Sequence, residues 1–289
     1  MQPITGKTKL LGVIGDPVTH SLSPLIHNAA IAELGRDFVY VAFPIKPENL
    51  ATAIAGFQAI GLVGFSITIP HKQTIIPWLN QITPTAQLVG AVNTVRWTES
   101  GWEGTNTDVE GFIAPLKALD RDWAKVRPVV LGIGGAARAV VVGLAELGCS
   151  QINVVGRNLA KLEAFHQSWQ KSNLNAVVAV HPWENLSLLI PHTALLVNTT
   201  PLGMAPNIEA SPVTTGLLQH LPQSAIAYDL IYTPSPTRFL QDAQAQGNLA
   251  IDGLEMLVQQ GAAALQLWLQ EPVPVDTMRQ VLKHHLFPA

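Results

Sequence analysis

The chain has 289 residues, room for two modest domains, and a formal net charge of −3. It is 48% hydrophobic and 13% charged, so it can bury large cores, and the absence of a basic stripe argues against nucleic-acid binding. Its one cysteine, Cys149, excludes an intrachain disulfide framework, fits a reducing compartment and reads as a small buried filler.

Met1 to Lys9 is polar and lacks the apolar core of a secretory leader. Leu10–Ile14 reads as a first strand that runs into Gly15-Asp16-Pro17-Val18-Thr19-His20-Ser21-Leu22-Ser23-Pro24. Ser23 suits the N-cap and Pro24 the first position of a helix that continues through Ile26, Ala29, Ala30 and Leu34 to Gly35. Phe38–Phe43 is a second strand, and Pro47 begins a helix to about Ile60. Ala51–Pro70 carries no charge, but Gly56, Gly61, Gly64 and Pro70 interrupt it, so it reads as a helix and a buried strand, Gly64–Ile69, not as a membrane span. After Pro70, His71 and Lys72 a short helix is expected at about Gln73–Leu79. Ala91–Thr98 and Trp102–Thr105 form a hairpin pattern, ended by Asn106, Thr107 and Asp108.

A second series begins near Val109. Its strands are expected at Val129–Leu131, Gln151–Val155, Ala176–Val180, Ala194–Val197, Ala225–Leu230 and Leu249–Ile251. After the first of these, Gly132, Ile133, Gly134, Gly135, Ala136 and Ala137 spell G-x-G-x-x-A at the start of a helix that stops at Gly148. Gly132 permits the turn, Gly134 admits a pyrophosphate, and Ala137 lets the helix pack on its strand, while the helix N-terminus favours an anion. The next strand ends at Gly156, Arg157 and Asn158, where an NAD site would carry an acid for the ribose hydroxyl. Arg157, with Lys161 one turn on, points instead to the 2′-phosphate of NADP. Leu254–Leu269 is a helix with Leu254, Leu257, Val258, Gly261, Leu265 and Trp268 on one stripe. A last helix near Val275–Leu286 is expected to return to the first domain.

The expected fold class is therefore α/β with two domains. An α/β substrate and catalytic domain spans residues 1–108 and is completed by 253–289. A Rossmann-like, doubly wound dinucleotide-binding domain spans 109–252. Ligands of such sheets bind beyond the carboxyl ends of strands. Three polar clusters stand at such ends in the first domain, Ser21–Ser23, Thr68–Lys72, and Asn93 with Asp108. Together they suit a small polyhydroxylated acid. Each also has a plain structural reading, as helix cap, strand residue, turn former or surface ion pair.

Taken in order, Gly15-Asp16-Pro17-Val18-Thr19-His20-Ser21-Leu22-Ser23-Pro24-Leu25-Ile26-His27-Asn28, Thr68-Ile69-Pro70-His71-Lys72, Gly90-Ala91-Val92-Asn93-Thr94 and Asn106-Thr107-Asp108 resemble the signature blocks of the shikimate dehydrogenase family. So do Gly132–Arg138, Asn198-Thr199-Thr200-Pro201-Leu202-Gly203-Met204 and Asp252-Gly253-Leu254-Glu255-Met256-Leu257-Val258-Gln259-Gln260. The resemblance implies NADP-dependent reduction of 3-dehydroshikimate to shikimate by a cytoplasmic monomer or homodimer with no metal. It implies Lys72 and Asp108 as the catalytic pair. Ser21, Ser23 and Tyr232 would hold the substrate carboxylate, and Thr68, Lys72, Asn93, Asp108 and Gln260 would meet ring hydroxyls. The pyrophosphate would lie on Gly132–Ala136 near Thr199, the adenosine phosphate by Arg157, and the nicotinamide near Leu230 and Gly253. Two places depart from the family pattern: Gly156-Arg157-Asn158 stands where it often has Asn-Arg-Thr, the arginine being kept, and Pro84 where it often has an acid. A quinate or dual quinate/shikimate dehydrogenase shares the scaffold. A catalytically silent ligand sensor would not need both Lys72 and Asp108, and a methylene-folate dehydrogenase would not need the two serines.

Overall fold

The computed structural model describes residues 3–170 and 172–288. The chain order begins β1 (Lys9–Gly15), α1 (Ser23–Glu33), β2 (Phe38–Pro44), α2 (Leu50–Ala59), β3 (Gly64–Ile67), α3 (His71–Thr74), β4 (Gln81–Ile82), α4 (Pro84–Val89), β5 (Thr94–Thr98), β6 (Gly101–Thr105) and α5 (Asp108–Lys117). It continues with β7 (Pro128–Leu131), α6 (Gly135–Glu146), β8 (Gln151–Gly156), α7 (Leu159–Gln170), β9 (Val177–Pro182), α8 (Leu186–Leu189), β10 (Leu195–Asn198), α9 (Thr215–Leu218), β11 (Ile226–Asp229), α10 (Arg238–Ala245), β12 (Leu249–Ile251), α11 (Leu254–Leu269) and α12 (Val275–Leu286). Two compact units result, one running to Gly111 and resuming at Leu257, the other spanning Phe112–Met256.

The first unit is built on a mixed six-stranded sheet in the order β2-β1-β3-β5-β6-β4. β1 pairs in parallel with β2 and β3, whereas β5 runs antiparallel to both β3 and β6. One apolar cluster packs Leu50, Ile54 and Phe57 of α2 against Ile14, Phe65, Val95 and Trp102 of the sheet. Elsewhere α12 packs along α1, and Trp268 of α11 donates its indole N–H to Val95 O at 2.9 Å. Gly64 makes room for that indole, since a Cβ there would come 2.2 Å from Trp268 Nε1.

The second unit carries a six-stranded sheet in the order β12-β11-β10-β7-β8-β9, parallel throughout. The order reverses between β7 and β10, as in a doubly wound dinucleotide fold. β7, β10 and β11 are buried along their whole length, with Asn198 and Asp229 as buried polar ends of two otherwise apolar strands. Cys149 is buried, and burial pushes its thiol up to about 11. Among the described residues no helix is long and apolar enough to cross a membrane.

Several elements differ from the sequence expectation. Leu22, not Ser23, is the N-cap of α1, and Ser21 Oγ accepts the Ser23 N–H at 3.3 Å, so the Ser23 hydroxyl is free of capping duty. The helix expected at Gln73–Leu79 starts earlier and breaks into α3 and a 3-10 turn at Ile76–Trp78, because Pro77 has no N–H to continue it. The hairpin starts at Thr94 instead of Ala91. The two-residue β4 and the short α4, opened by Thr83 and Pro84, were below what periodicity reveals. Asp108–Gly111, where the first expected domain gives way to the second, is the first turn of α5.

His27 is wholly buried on α1, and its Nδ1 lies 2.8 Å from Ser23 O, so Nδ1 carries the proton of the neutral ring. Burial lowers its pKa to about 4. A lowered histidine contributes stability above the unfolded pKa, which is lost as pH falls through the folded value. Asp229 is raised to about 6 by burial and has the opposite slope in the same range, so the two must be separated by a variant. In urea unfolding, His27→Phe should gain roughly 3 kcal/mol relative to the parent between pH 7 and pH 4. A pH-independent difference would show that His27 does not titrate on unfolding.

Candidate active site

All the polar clusters of the first unit meet at one end of its sheet. β1 and β3 are parallel neighbours, so the loops that leave Gly15 and Ile67 start side by side. Thr68 N donates to Ile14 O at 2.9 Å and Asp16 N to Ile69 O at 2.9 Å, which ties the two loops together. A Cβ on Gly15 would come 2.4 Å from Thr68 Cγ2, so this approach requires glycine. Ser21 and Ser23 follow at the entry to α1, Ser21 half-buried and Ser23 buried.

Across the sheet end, Lys72 Nζ lies 2.5 Å from Asp108 Oδ2, with side-chain exposures of 20% and 6%. Lys72 is placed by its neighbours. His71 is buried with Nε2 2.6 Å from Ile45 O, and the Lys72 carbonyl accepts from Val92 N at 2.7 Å. Asp108 opens α5, its N–H bound to Asn106 Oδ1 at 3.1 Å. Its other oxygen accepts from Asn93 Nδ2 at 2.8 Å. The orientation of the Asn93 amide follows from its partners. Asn93 Oδ1 accepts from Thr107 N at 2.7 Å and Thr94 Oγ1 at 3.0 Å, which leaves Nδ2 for the carboxylate. Gln260 comes in from α11, its Oε1 3.5 Å from Asn93 Nδ2 and its Nε2 bound to Leu257 O at 2.8 Å. Seven of the residues singled out in the sequence thus lie in two groups at this end, with Thr107 and Thr94 as the unassigned partners that hold Asn93. Both threonines sat inside quoted motifs, but neither spacing nor residue type marks a hydroxyl as a support for an amide.

The second unit brings the glycine loop to the reversal of strand order. Gly132 follows β7 with φ +111°, and a Cβ there would meet Thr199 Oγ1 at 2.6 Å. Thr199 follows β10 and anchors to Leu131 O through both N–H (3.0 Å) and Oγ1 (2.7 Å). Gly134 is the exposed N-cap of α6, a Cβ there would meet nothing within 4 Å, and no side chain caps the helix. Open space over free helix N–H groups fits a pyrophosphate. Ile133 packs beside Gly156, where a Cβ would come 3.2 Å from its Cγ2. Arg157 is exposed and, among the described residues, without an ion pair; Lys161 is exposed too. Asn158 Oδ1 accepts from Lys161 N at 2.9 Å, so its side chain caps α7. Leu230 and Gly253 are in direct contact. A Cβ on Gly253 would come 2.1 Å from Leu230 O, and Gly253 N donates to Ile231 O at 3.1 Å. Tyr232 belongs to this unit, where burial raises its phenol above the usual range.

Asp229 escaped the sequence reading. Its carboxylate accepts from Asn198 Nδ2 (3.0 Å), Ile231 N (3.1 Å) and Thr237 Oγ1 (2.7 Å), joining the loops after β10 and β11 to the start of α10. The signal was an acid inside the apolar strand run Ala225–Leu230.

Residues 13–95 match the family model described as shikimate dehydrogenase substrate binding domain, and residues 253–283 match the shikimate 5'-dehydrogenase C-terminal domain. A protein of Crocosphaera subtropica named shikimate dehydrogenase (NADP(+)) is 61% identical over 99% of this chain and 100% of its own length. The chain belongs to the shikimate dehydrogenase family. Its fold agrees with the crystal structure of the family member from Thermus thermophilus in complex with NADP(H) and shikimate, at a TM-score of 0.84 and 34% identity over 96% of this chain and 99% of that one. The ligand-free 5-ketofructose reductase of a Gluconobacter strain also aligns at TM-score 0.84 and 34% identity, over 97% and 100% of the two chains. Shikimate dehydrogenase architecture at this distance therefore carries more than one substrate, and the curated relatives at higher identity bear most on the reaction.

Two glycines separate packing from ligand approach. Gly253→Ala should displace the Leu230 backbone, costing about 1–3 kcal/mol in unfolding experiments, and should weaken NADP binding. Gly134→Ala should leave stability nearly unchanged and weaken NADP binding by roughly tenfold, read by fluorescence titration. Equal melting temperatures and equal affinities for both variants would contradict this assignment.

Proposed function

We propose that this chain catalyses the reversible NADPH-dependent reduction of 3-dehydroshikimate to shikimate, a step toward chorismate and the aromatic amino acids. The observation that carries the reading is the Lys72–Asp108 pair, 2.5 Å apart and oriented by Asn93, in a chain 61% identical to a protein named for this reaction. The single buried cysteine suits a reducing compartment, and the cytoplasm is the proposed location.

Bound NADPH supplies the hydride. The ketone oxygen gains negative charge as it arrives, and a positioned donor stabilises that charge. Lys72 Nζ has three N–H bonds, one spent on Asp108, so the others can serve the oxygen and deliver the proton. Asp108 holds the ammonium in place and offers an acceptor to the neighbouring ring hydroxyl. That hydroxyl can displace the long 3.5 Å contact between Asn93 and Gln260, after which both amides face it. Thr68 supplies a further hydroxyl from the adjoining loop. Ser21 and Ser23 bind the substrate carboxylate through their hydroxyls at the entry to α1, whose dipole favours the anion. In the other unit, Gly132–Ala136 accommodate the pyrophosphate and Arg157 grips the 2′-phosphate.

Lys72→Ala should reduce hydride transfer in single-turnover kinetics by about a hundredfold to ten-thousandfold, with a smaller effect on shikimate affinity. Asp108→Asn should impair the same step, and the double variant should be little worse than the worse single one. Near wild-type transfer in Lys72→Ala would remove the lysine from the chemistry. Turnover of quinate at a kcat/KM comparable to that of shikimate would move the reading to a dual enzyme.

Arg157→Ala should raise the Michaelis constant for NADP roughly ten- to a hundredfold and leave that for NAD nearly unchanged. An unaltered NADP/NAD ratio would show that the preference has another source.

A further inference from the structure

The motif that carries Ser21 and Ser23 also contains His27 and Asn28, which no part of the reaction uses. Both lead to Tyr40 in the middle of β2. Asn28 brackets the Tyr40 backbone, its Nδ2 donating to Tyr40 O at 2.8 Å and its Oδ1 accepting from Tyr40 N at 2.9 Å. His27 stacks on the Tyr40 ring, with centroids 4.1 Å apart and planes 13° from parallel. Its Nδ1–H holds Ser23 O at 2.8 Å. Trp268 closes the cluster, 5.9 Å from the Tyr40 ring.

This framework fixes the Tyr40 ring, and its phenol oxygen lies near the hydroxyls of Ser66 and Ser23. Tyr40 is 1% exposed and Ser66 6% exposed. Neither Tyr40 OH nor Ser66 Oγ completes a well-aligned hydrogen bond. Two buried hydroxyls without aligned partners carry a desolvation penalty, and they lie beside Ser23, which the proposed function assigns to the substrate carboxylate.

We propose that Tyr40 is a positioning residue for the substrate carboxylate, donating its hydroxyl proton to Ser23 Oγ so that Ser23 turns its own proton to the anion. The inference rests on the reading of Ser21 and Ser23 as the carboxylate pocket. A serine hydroxyl has one proton and two lone pairs. With a lone pair filled from behind by Tyr40, the proton is committed to the ligand. Ser66 supplies the preceding donor, so the O–H groups of Ser66, Tyr40 and Ser23 align in one direction and polarise one another toward the negative charge. His27 and Asn28 set the phenol and the Ser23 backbone at the same time, which explains why the serine motif continues to them.

Tyr40→Phe removes the hydroxyl and retains the stack on His27. By calorimetry its affinity for shikimate should fall about five- to thirtyfold. Its kcat and NADP affinity should stay within about twofold and its melting temperature should be unchanged or higher, because the deleted group is poorly paired without ligand. A shikimate analogue with hydroxymethyl in place of the carboxylate should bind parent and variant alike. Ser66→Ala should show a smaller effect of the same kind, and serves should Tyr40→Phe fail to fold. Ser21→Ala and Ser23→Ala are measured in parallel. If they lose shikimate affinity while Tyr40→Phe and Ser66→Ala bind normally, the relay is wrong and the pocket stands. If the serine variants bind normally, the pocket reading fails and the relay with it. A lower melting temperature with equal losses for shikimate and NADP would make Tyr40 a structural residue only.

Discussion

The first unit depends most on what Asn93 does with its main chain and side chain together. Its carbonyl accepts from Ile67 at the end of β3, and its N–H donates to Thr105 at the end of β6. The residue therefore sits where the parallel half of the sheet meets the antiparallel hairpin. From there its amide reaches the Asp108 carboxylate that opens α5. The Lys72–Asp108 pair is largely withdrawn from water, and such a pair is costly unless its remaining lone pairs are satisfied. Asn93 supplies that bond from a position that the sheet register already dictates. Lys72 is thus aligned by backbone pairing at one remove.

The two units build their candidate sites by different means. The first uses side chains on short loops and helix starts, cross-braced by hydroxyls and amides. The second uses backbone: glycine at φ +111° after β7, an uncapped helix start, and a main-chain contact between Gly253 and Leu230 that leaves no room for a Cβ. Under both lies a buried polar residue that touches several segments at once, Asn93 in one and Asp229 in the other. A buried polar hub of this kind is stable only when every lone pair and proton is used. Both come close to that condition.

The parallel strands of the second unit were legible because each is a short apolar run bounded by turn residues, and the helices behind them follow the 3.6-residue period. α11 and α12 were legible for the same reason. The break at Pro77, the two-residue β4 and the true cap of α1 were not, since each is decided by single hydrogen bonds over three or four residues. The candidate site divides in the same way. Lys72, Asp108 and the serines stand out as polar residues after strands. Thr94, Thr107 and Asp229 look like ordinary strand or turn residues, and only their partners, 8 to 31 residues away along the chain, give them a role. Support functions arise from long-range contact, which a residue pattern does not encode.

The lone cysteine has a practical consequence. Cys149 is buried and its thiol is pushed up to about 11, so almost none of it is thiolate at neutral pH. The chain is therefore a silent background for thiol chemistry. A cysteine introduced at an exposed position becomes the one site that a maleimide or a nitroxide label reaches quickly, with no native cysteine to remove first.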